Sequence, residues 1–297
     1  MNVDSLTHAL VAAILAYAAG LPHLLPFFVL GAVIIDADIL FSLFSRDNPS
    51  LYLFVHGGIA HSLGGAVVMS ALAYAGVVLA TFAGLVNPAQ SFGAGPAGAA
   101  AVLAGAFLHL AMDLPASPGI PLLAPKSDTK YALFVLPGPS LLLMAVSLFF
   151  VIWMALGAVT LAEGMAVYMA VFCAFLLVRA IAFVLTRPAL RGAMLALPQP
   201  DPRCWLALYD RDGAWEAREY RLGKGCVAST GWPKYRDTSA AEVAPFLALP
   251  EVQRLRYHSY LVVAEKENGA LVFSDPLRIS GRVFYPPHYK QVRLDTP

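Results

Sequence analysis

Over the first 186 residues the chain is a series of long apolar runs separated by short polar breaks, and beyond that the pattern changes to alternation. A helix that crosses a bilayer needs about 20 apolar residues. Runs of that order occupy residues 24–44, 62–85, 98–114, 140–161 and 165–185. Residues 6–19 form a shorter run, parted from the next by Gly20, Pro22 and Pro26. A single helix over residues 9–35 is the rival reading. It is the weaker one, because each proline deletes a helix hydrogen bond and clashes with the preceding turn. The pattern predicts an all-α polytopic membrane domain of about six spans over residues 1–187.

Residues 188–297 read differently. Segments such as "CWLALYD" and "RYHSYLVVAEKENGALVFSD" alternate or cluster aromatic and β-branched residues, and Glu267-Asn268-Gly269 supplies a hairpin turn. "TSAAEVAPFLALPEVQRL" looks helical, with Thr238 or Ser239 as its cap. A small, mainly-β (α+β) soluble domain is expected here.

Charge sharpens this division. Residues 1–186 hold eleven charged side chains: Asp4, Asp36, Asp38, Arg46, Asp47, Asp113, Lys126, Asp128, Lys130, Glu163 and Arg179. The other 28 lie beyond them, so the first part is built for lipid and the last for water. With the tail inside, the cytoplasmic loops would be 45–61 and 115–139, carrying Arg46, Lys126 and Lys130. The opposite loops, 20–23, 86–97 and 162–164, carry no Lys or Arg, in accord with the positive-inside rule. This predicts a multi-pass protein of the plasma (inner) membrane with both termini cytoplasmic. No basic start with a cleavage site precedes the first apolar run, so no removable signal peptide is expected. The cysteines (Cys173, Cys204, Cys226) follow no CxxC spacing and fit a reducing compartment, not a disulfide framework or zinc ribbon. Net charge near zero gives no sign of a nucleic-acid partner.

The few polar residues of the membrane part share one end of the six-span map. His8 begins the first run, Asp36 and Asp38 sit in the cytoplasmic half of the second, His56 and His61 open the third, and His109 and Asp113 close the fourth. His23 falls on the opposite side. His109 and Asp113 are spaced to share one helical face. Asp36 and Asp38 lie about 200° apart on an α-helix, so they converge only if the helix is broken or if they serve different ions. Gly57 and Gly58 would let the chain turn from His56 towards His61. Imidazole and carboxylate suit Zn²⁺, and also Mn²⁺ or Fe²⁺. Seven donors (His8, Asp36, Asp38, His56, His61, His109, Asp113) exceed one tetrahedral site, which points to two ions sharing a carboxylate. For any one of these residues alone, a helix cap or an interfacial histidine is the simpler account.

These blocks resemble the membrane-bound metal-dependent hydrolase family, the YdjM/YbcI-like proteins. That family's pattern runs "TH", "PDxD", "HRxxTHS" and "HxxxD". Here it reads Thr7-His8, "IDAD", "HGGIAHS" and "HLAMD", within about residues 1–130. "VFSDPLRISG", around Asp275 and Arg278, resembles the tail of some members. Ile35 stands where the family has proline, Gly57 where arginine is usual, and Ala60 where threonine is. The resemblance implies metal-dependent hydrolysis on a substrate it does not define.

The expected activity is cleavage of a phosphoester or related ester in a lipid headgroup or lipid-linked substrate. Asp38 or Asp113 would be the general base if not a ligand. Lys126, Lys130 and Arg179 are candidate substrate-binding cations in place of the guanidinium missing at position 57, and Ser62 is a candidate hydroxyl. The simpler readings are snorkelling for Arg179 and a helix-start hydroxyl for Ser62. Two other classes fit the same cluster: a metal-ion transporter, whose site would lie near the bilayer midplane, and a structural-metal anchor whose tail binds a protein partner.

Overall fold

A computed structural model describes residues 3–86, 95–138, 140–283 and 289–295, so most of the expected 86–97 loop lies outside the described residues. The chain forms two compact units, Met1–Leu43 with Leu53–Phe183, and Phe44–Tyr52 with Val184–Pro297.

The first unit is helical. Helix α1, Ser5–Ala18, is capped by the Asp4 carboxylate, which accepts from the Thr7 amide. The chain reverses at Gly20, whose φ of 71° suits glycine, so the single-helix reading does not hold. Helix α2, Leu25–Ile34, tightens into a 3₁₀ segment, Ile35–Phe41, and ends in the short α3, Ser42–Ser45. Then follow α4 (Leu63–Phe82), α5 (Pro96–Asp113), α6 (Leu141–Ala155) and α7 (Leu161–Thr186).

The described residues contain four helices long and apolar enough to cross a membrane: Pro22–Ser45, Leu63–Phe82, Pro96–Asp113 and Leu161–Thr186. This corrects the expectation of six spans. Helices α1 and α6 have 14 and 15 residues. At 1.5 Å per residue each is about 22 Å long, short of the roughly 30 Å hydrocarbon core. Leu10, Val11, Ala12, Ala13, Ile14 and Ala16 of α1 are buried against protein, so their apolarity serves the core of the unit. Hydropathy alone cannot tell that burial from lipid exposure. In the run 140–161, Gly157 at φ 66° follows the end of α6 and cuts the helix short.

The closest helix approach sets up everything that follows. A Cβ added at Gly31 of α2 would lie 1.9 Å from the Val102 carbonyl oxygen, and one at Gly105 of α5 2.1 Å from that of Phe28. Small residues facing one another let two backbones pack this tightly. The crossing brings the end of α2 against the end of α5. Ile35, Ala66, Ala106, Leu110 and Ile120 then fill an apolar layer there. Ile120 comes from the loop after α5, which folds back through Ile120 N–H to the Tyr131 carbonyl (3.1 Å) and accepts the Leu63 amide at Leu122 (3.0 Å).

The second unit is mixed and β-rich. Strands β1 (Leu195–Pro198), β2 (Cys204–Arg211), β3 (Ala214–Arg221) and β4 (Gly225–Pro233) form an antiparallel meander. In the second sheet β5 (Tyr235–Arg236) pairs parallel with β6 (Val263–Glu267), and β7 (Ala270–Ser274) and β8 (Gln291–Asp295) follow antiparallel. Asn268 and Gly269, both at positive φ, make the β6–β7 turn. The helical stretch becomes α8 (Ala240–Val243), a 3₁₀ turn and α9 (Pro250–His258), with Ser239 and Glu242 forming a reciprocal cap. Asp275 caps α10, Pro276–Ile279, through the Leu277 and Arg278 amides.

Candidate metal centre

Four segments deliver the polar side chains: the start of α1, the 3₁₀ segment after α2, the loop before α4, and the end of α5. Each has a local reason for its shape. The α-helical ladder stops after Ile34, where His109 Nδ1–H donates to the Ala32 carbonyl at 2.6 Å. A side chain bonded into the ladder is one recognised cause of a helix distortion, and it acts here without the proline expected at position 35. The tightened turn lets Asp36 and Asp38 serve one pair of imidazoles. In "HGGIAHSLGG", Gly57 takes φ 76° and its amide donates to Asp38 Oδ2 at 3.1 Å. Gly58 and Gly65 lie so near the Leu53 and Ile59 carbonyls that a Cβ would come within 2.0 and 2.1 Å of them.

The histidines are oriented from behind. Asp38 takes His56 Nδ1 at 2.6 Å on Oδ1 and His61 Nδ1 at 2.9 Å on Oδ2. With Gly57 added, both oxygens of Asp38 are engaged, so this carboxylate holds rings and does not face the centre. The Ala32 carbonyl does the same for His109. The Nε2 atoms of His61 and His109 therefore face one another 3.2 Å apart. Asp36 Oδ1 is 3.6 Å from each of them, and Asp113 Oδ2 is 3.4 Å from His61 Nε2 and 3.3 Å from His109 Nε2.

Donor atoms with no proton between them repel unless a cation joins them. Bonded to Zn²⁺ at about 2.0–2.1 Å in tetrahedral geometry, ligand atoms lie about 3.3 Å from one another. The five separations above match that spacing. His8 adds a second indication. Its ring is fully buried and stacks on His109 with centroids 3.8 Å apart, and neither ring nitrogen has a hydrogen-bond partner. Its Nε2 lies 3.3 Å from Asp113 Oδ1. Three overlapping groups could hold an ion: His8, Asp36 and His109; Asp36, His56 and His61; His61, His109 and Asp113. Asp36 is common to two of them, so the donor set fits one divalent ion or two. Burial by itself would lower the pKa of His61, but its bonds to Asp36 and Asp38 prevail and raise it to about 10. Without metal, a proton on this ring occupies the place a cation would take.

What exposure remains is uneven. The Asp36 and His56 side chains keep 13% and 7% exposure, against 0–1% for those of Asp38, His61, His8, His109 and Asp113. Ser62 is buried and occupied as the α4 cap, accepting from Gly65 N–H (2.9 Å) and donating to the Ile59 carbonyl (2.8 Å). Lys126 is exposed and Lys130 half-buried in the loop that contributes Ile120. Arg179 is only 3% exposed in α7, enclosed by protein and not reaching into solvent. Among the described residues His23 joins no donor group and is exposed in the turn before α2.

Sequence reasoning missed the N-terminal strap. Ser5 Oγ donates to Asp36 Oδ2, and the Val3 amide donates to Asp113 Oδ1 at 2.9 Å. Thr7 links Asp4 to Ser147 and through it to Tyr168, with successive oxygens 2.7, 2.7 and 2.8 Å apart. Only the serine and threonine beside His8 hinted at it.

Apolar helices of spanning length, combined with convergent His/Asp groups able to hold metal, define a multi-pass membrane protein of the metal-binding class. The chain belongs to the YdjM inner membrane protein family, whose model matches residues 3–187 and so takes in all of these His and Asp residues but little of the β-rich region. No curated protein and no solved structure matches the chain.

Proposed function

We propose that the protein is a membrane-embedded, metal-dependent hydrolase that cleaves a phosphoester or related ester in a lipid headgroup or lipid-linked substrate. The observation that carries this reading is the convergence of His61, His109, Asp36 and Asp113 at 3.2–3.6 Å, with residual exposure at Asp36 and His56. A closed structural site would bury every donor equally; this one leaves two at the edge. A divalent ion held there, Zn²⁺ by preference with Mn²⁺ or Fe²⁺ as alternatives, would lower the pKa of water and polarise an ester oxygen.

The chain's own residues have separate tasks. His61, His109, Asp36 and Asp113 would hold a first ion, and His8 or His56 would extend the set to a second. Asp38 fixes two rings and keeps their Nε2 atoms turned inwards; with both oxygens engaged it is a poor general base. Asp113 Oδ1 accepts the Val3 amide and Asp36 Oδ2 the Ser5 hydroxyl, so each carboxylate keeps one oxygen for the ion; Asp36 is the more exposed of the two. Lys126, Lys130 and Arg179 are the cations available to an anionic headgroup. The helix-end location favours a substrate that stays in the membrane. In this reading the 45–61 loop and the tail face the cytoplasm, supported by the one-sided Lys and Arg of the loops.

The test is metal analysis of detergent-purified protein followed by a lipid-hydrolysis screen with and without chelator. Bound divalent metal and a chelator-sensitive release of headgroup or phosphate are expected. Stoichiometric metal with no hydrolysis of any lipid ester would overturn the enzymatic reading.

A further inference from the structure

Residues 44–52 lie in the chain between the Asp36/Asp38 segment and His56, yet they pack with the C-terminal residues as part of the second unit. Arg254 of α9 donates through Nη1 to the Arg46 carbonyl at 3.1 Å and to that of Ser45 at 3.5 Å. Ser45 is the last residue of the helical stretch that bears both carboxylates. A cation on the terminal carbonyls of a helix satisfies acceptors with no partner in the helix and complements its dipole. The guanidinium is itself held over the Tyr289 ring, 4.6 Å from the centroid. At the other end of the segment, the Tyr52 ring meets Tyr257 edge-on at 5.3 Å. Tyr52 stands four residues before His56.

From this we infer that Arg254 and Tyr257 are positioning residues for the metal centre: α9 clasps both ends of the 45–52 segment and thereby sets where Asp36 and Asp38 stand relative to His56. This rests on the metal reading above. The clasp has a physical consequence. Asp38 can hold His56 and His61 together only while the chain between residues 38 and 56 keeps its path, and no long helix lies in that stretch. The C-terminal residues supply the constraint, although they contribute no donor to the groups among the described residues.

Zinc titration of the full-length chain in detergent tests the clasp. Arg254→Ala and Tyr257→Leu should each weaken Zn²⁺ binding about fivefold or more, with Arg254→Lys recovering part of the loss. Arg282→Ala is the control. Arg282 pairs with Glu219 at 3.2 Å and Thr230 at 2.7 Å, both within the C-terminal region; it should leave the affinity unchanged. A cysteine placed at Asn48 should label faster with a thiol reagent in the Arg254→Ala background. Should Arg254→Ala fail to fold in a thermal melt, Tyr257→Leu carries the test. Wild-type zinc affinity in folded Arg254→Ala and Tyr257→Leu would overturn the clasp and leave the metal centre standing. An equal loss in Arg282→Ala would overturn it too, by showing a general effect of stability. A wild-type chain that binds no zinc overturns the metal reading and the clasp together.

Discussion

Asp36 and Asp38 are two residues apart and chemically alike, but their surroundings give them different work. Asp38 receives three N–H groups and Asp36 faces the Nε2 atoms of His56, His61 and His109. Asp38→Asn keeps the shape but cannot accept at both atoms. It should lower metal affinity by about 10- to 100-fold, as loss of a ring-orienting partner does, without abolishing binding. His61→Ala and His109→Ala remove donors and should strip the metal, measured by elemental analysis on protein shown to be folded, while His23→Ala should not. Full metal in folded His61→Ala and His109→Ala would mean the cluster is no metal site. His61 also predicts a pH dependence. Its pKa is raised to about 10, so at neutral pH the metal-free ring is protonated. A metal must displace that proton, so affinity should rise with pH up to about 10 and fall as pH drops. Calorimetry in buffers of different ionisation enthalpy would show the proton released on zinc binding; a buffer-independent heat would refute this.

Among the elements, the α2–α5 crossing matters most, because Asp36 lies in the turn that directly continues one and His109 and Asp113 lie on the other. Gly105→Val would drive a side chain into the Phe28 carbonyl, 2.1 Å from its Cβ, and the helices must part. A lower Tm and loss of metal together are expected. Gly76, in α4, has nothing within 4 Å of an added Cβ. Gly76→Ala should hold or raise the Tm, since alanine is favoured over glycine in a helix by about 1 kcal/mol. If Gly105→Val binds metal and melts as the wild type does, the crossing does not set the donor spacing.

For the whole molecule, the sparse Lys and Arg of the membrane part and the basic tail lead to a prediction of sidedness. Cys226 is exposed and native, and Asn48→Cys adds a reporter in the 45–61 loop. In intact cells neither should react with an impermeant thiol reagent, and both should react after permeabilisation. Labelling at residue 48 from outside while Cys226 stays protected would separate the loop from the tail and refute the proposed topology.

Some of this was legible in the chain alone. The residues of the convergent His/Asp groups could be named from the sequence, because a His or Asp in an apolar run stands out, whereas Asp38, expected among them, orients two rings instead; His109 with Asp113 needed only helical spacing to be paired. The β6–β7 turn was readable from Asn268-Gly269, since a tight turn at positive φ needs those residues. What the sequence could not decide was anything that depends on the neighbour across space. Residues of α1 are as apolar as a span yet lie buried in protein, so counting hydropathy overstated the crossings. Asp36 and Asp38 could be told apart only once the Ala32 carbonyl was seen to take His109, the helix to tighten, and two rings to turn their Nδ1 atoms to one carboxylate. The strap of Val3 and Ser5, and the grip of Arg254 on Arg46, join residues 31 to 208 positions apart. Local pattern carries no record of such pairs, because each side chain is ordinary where it stands and acquires its role only from the partner that folding brings to it.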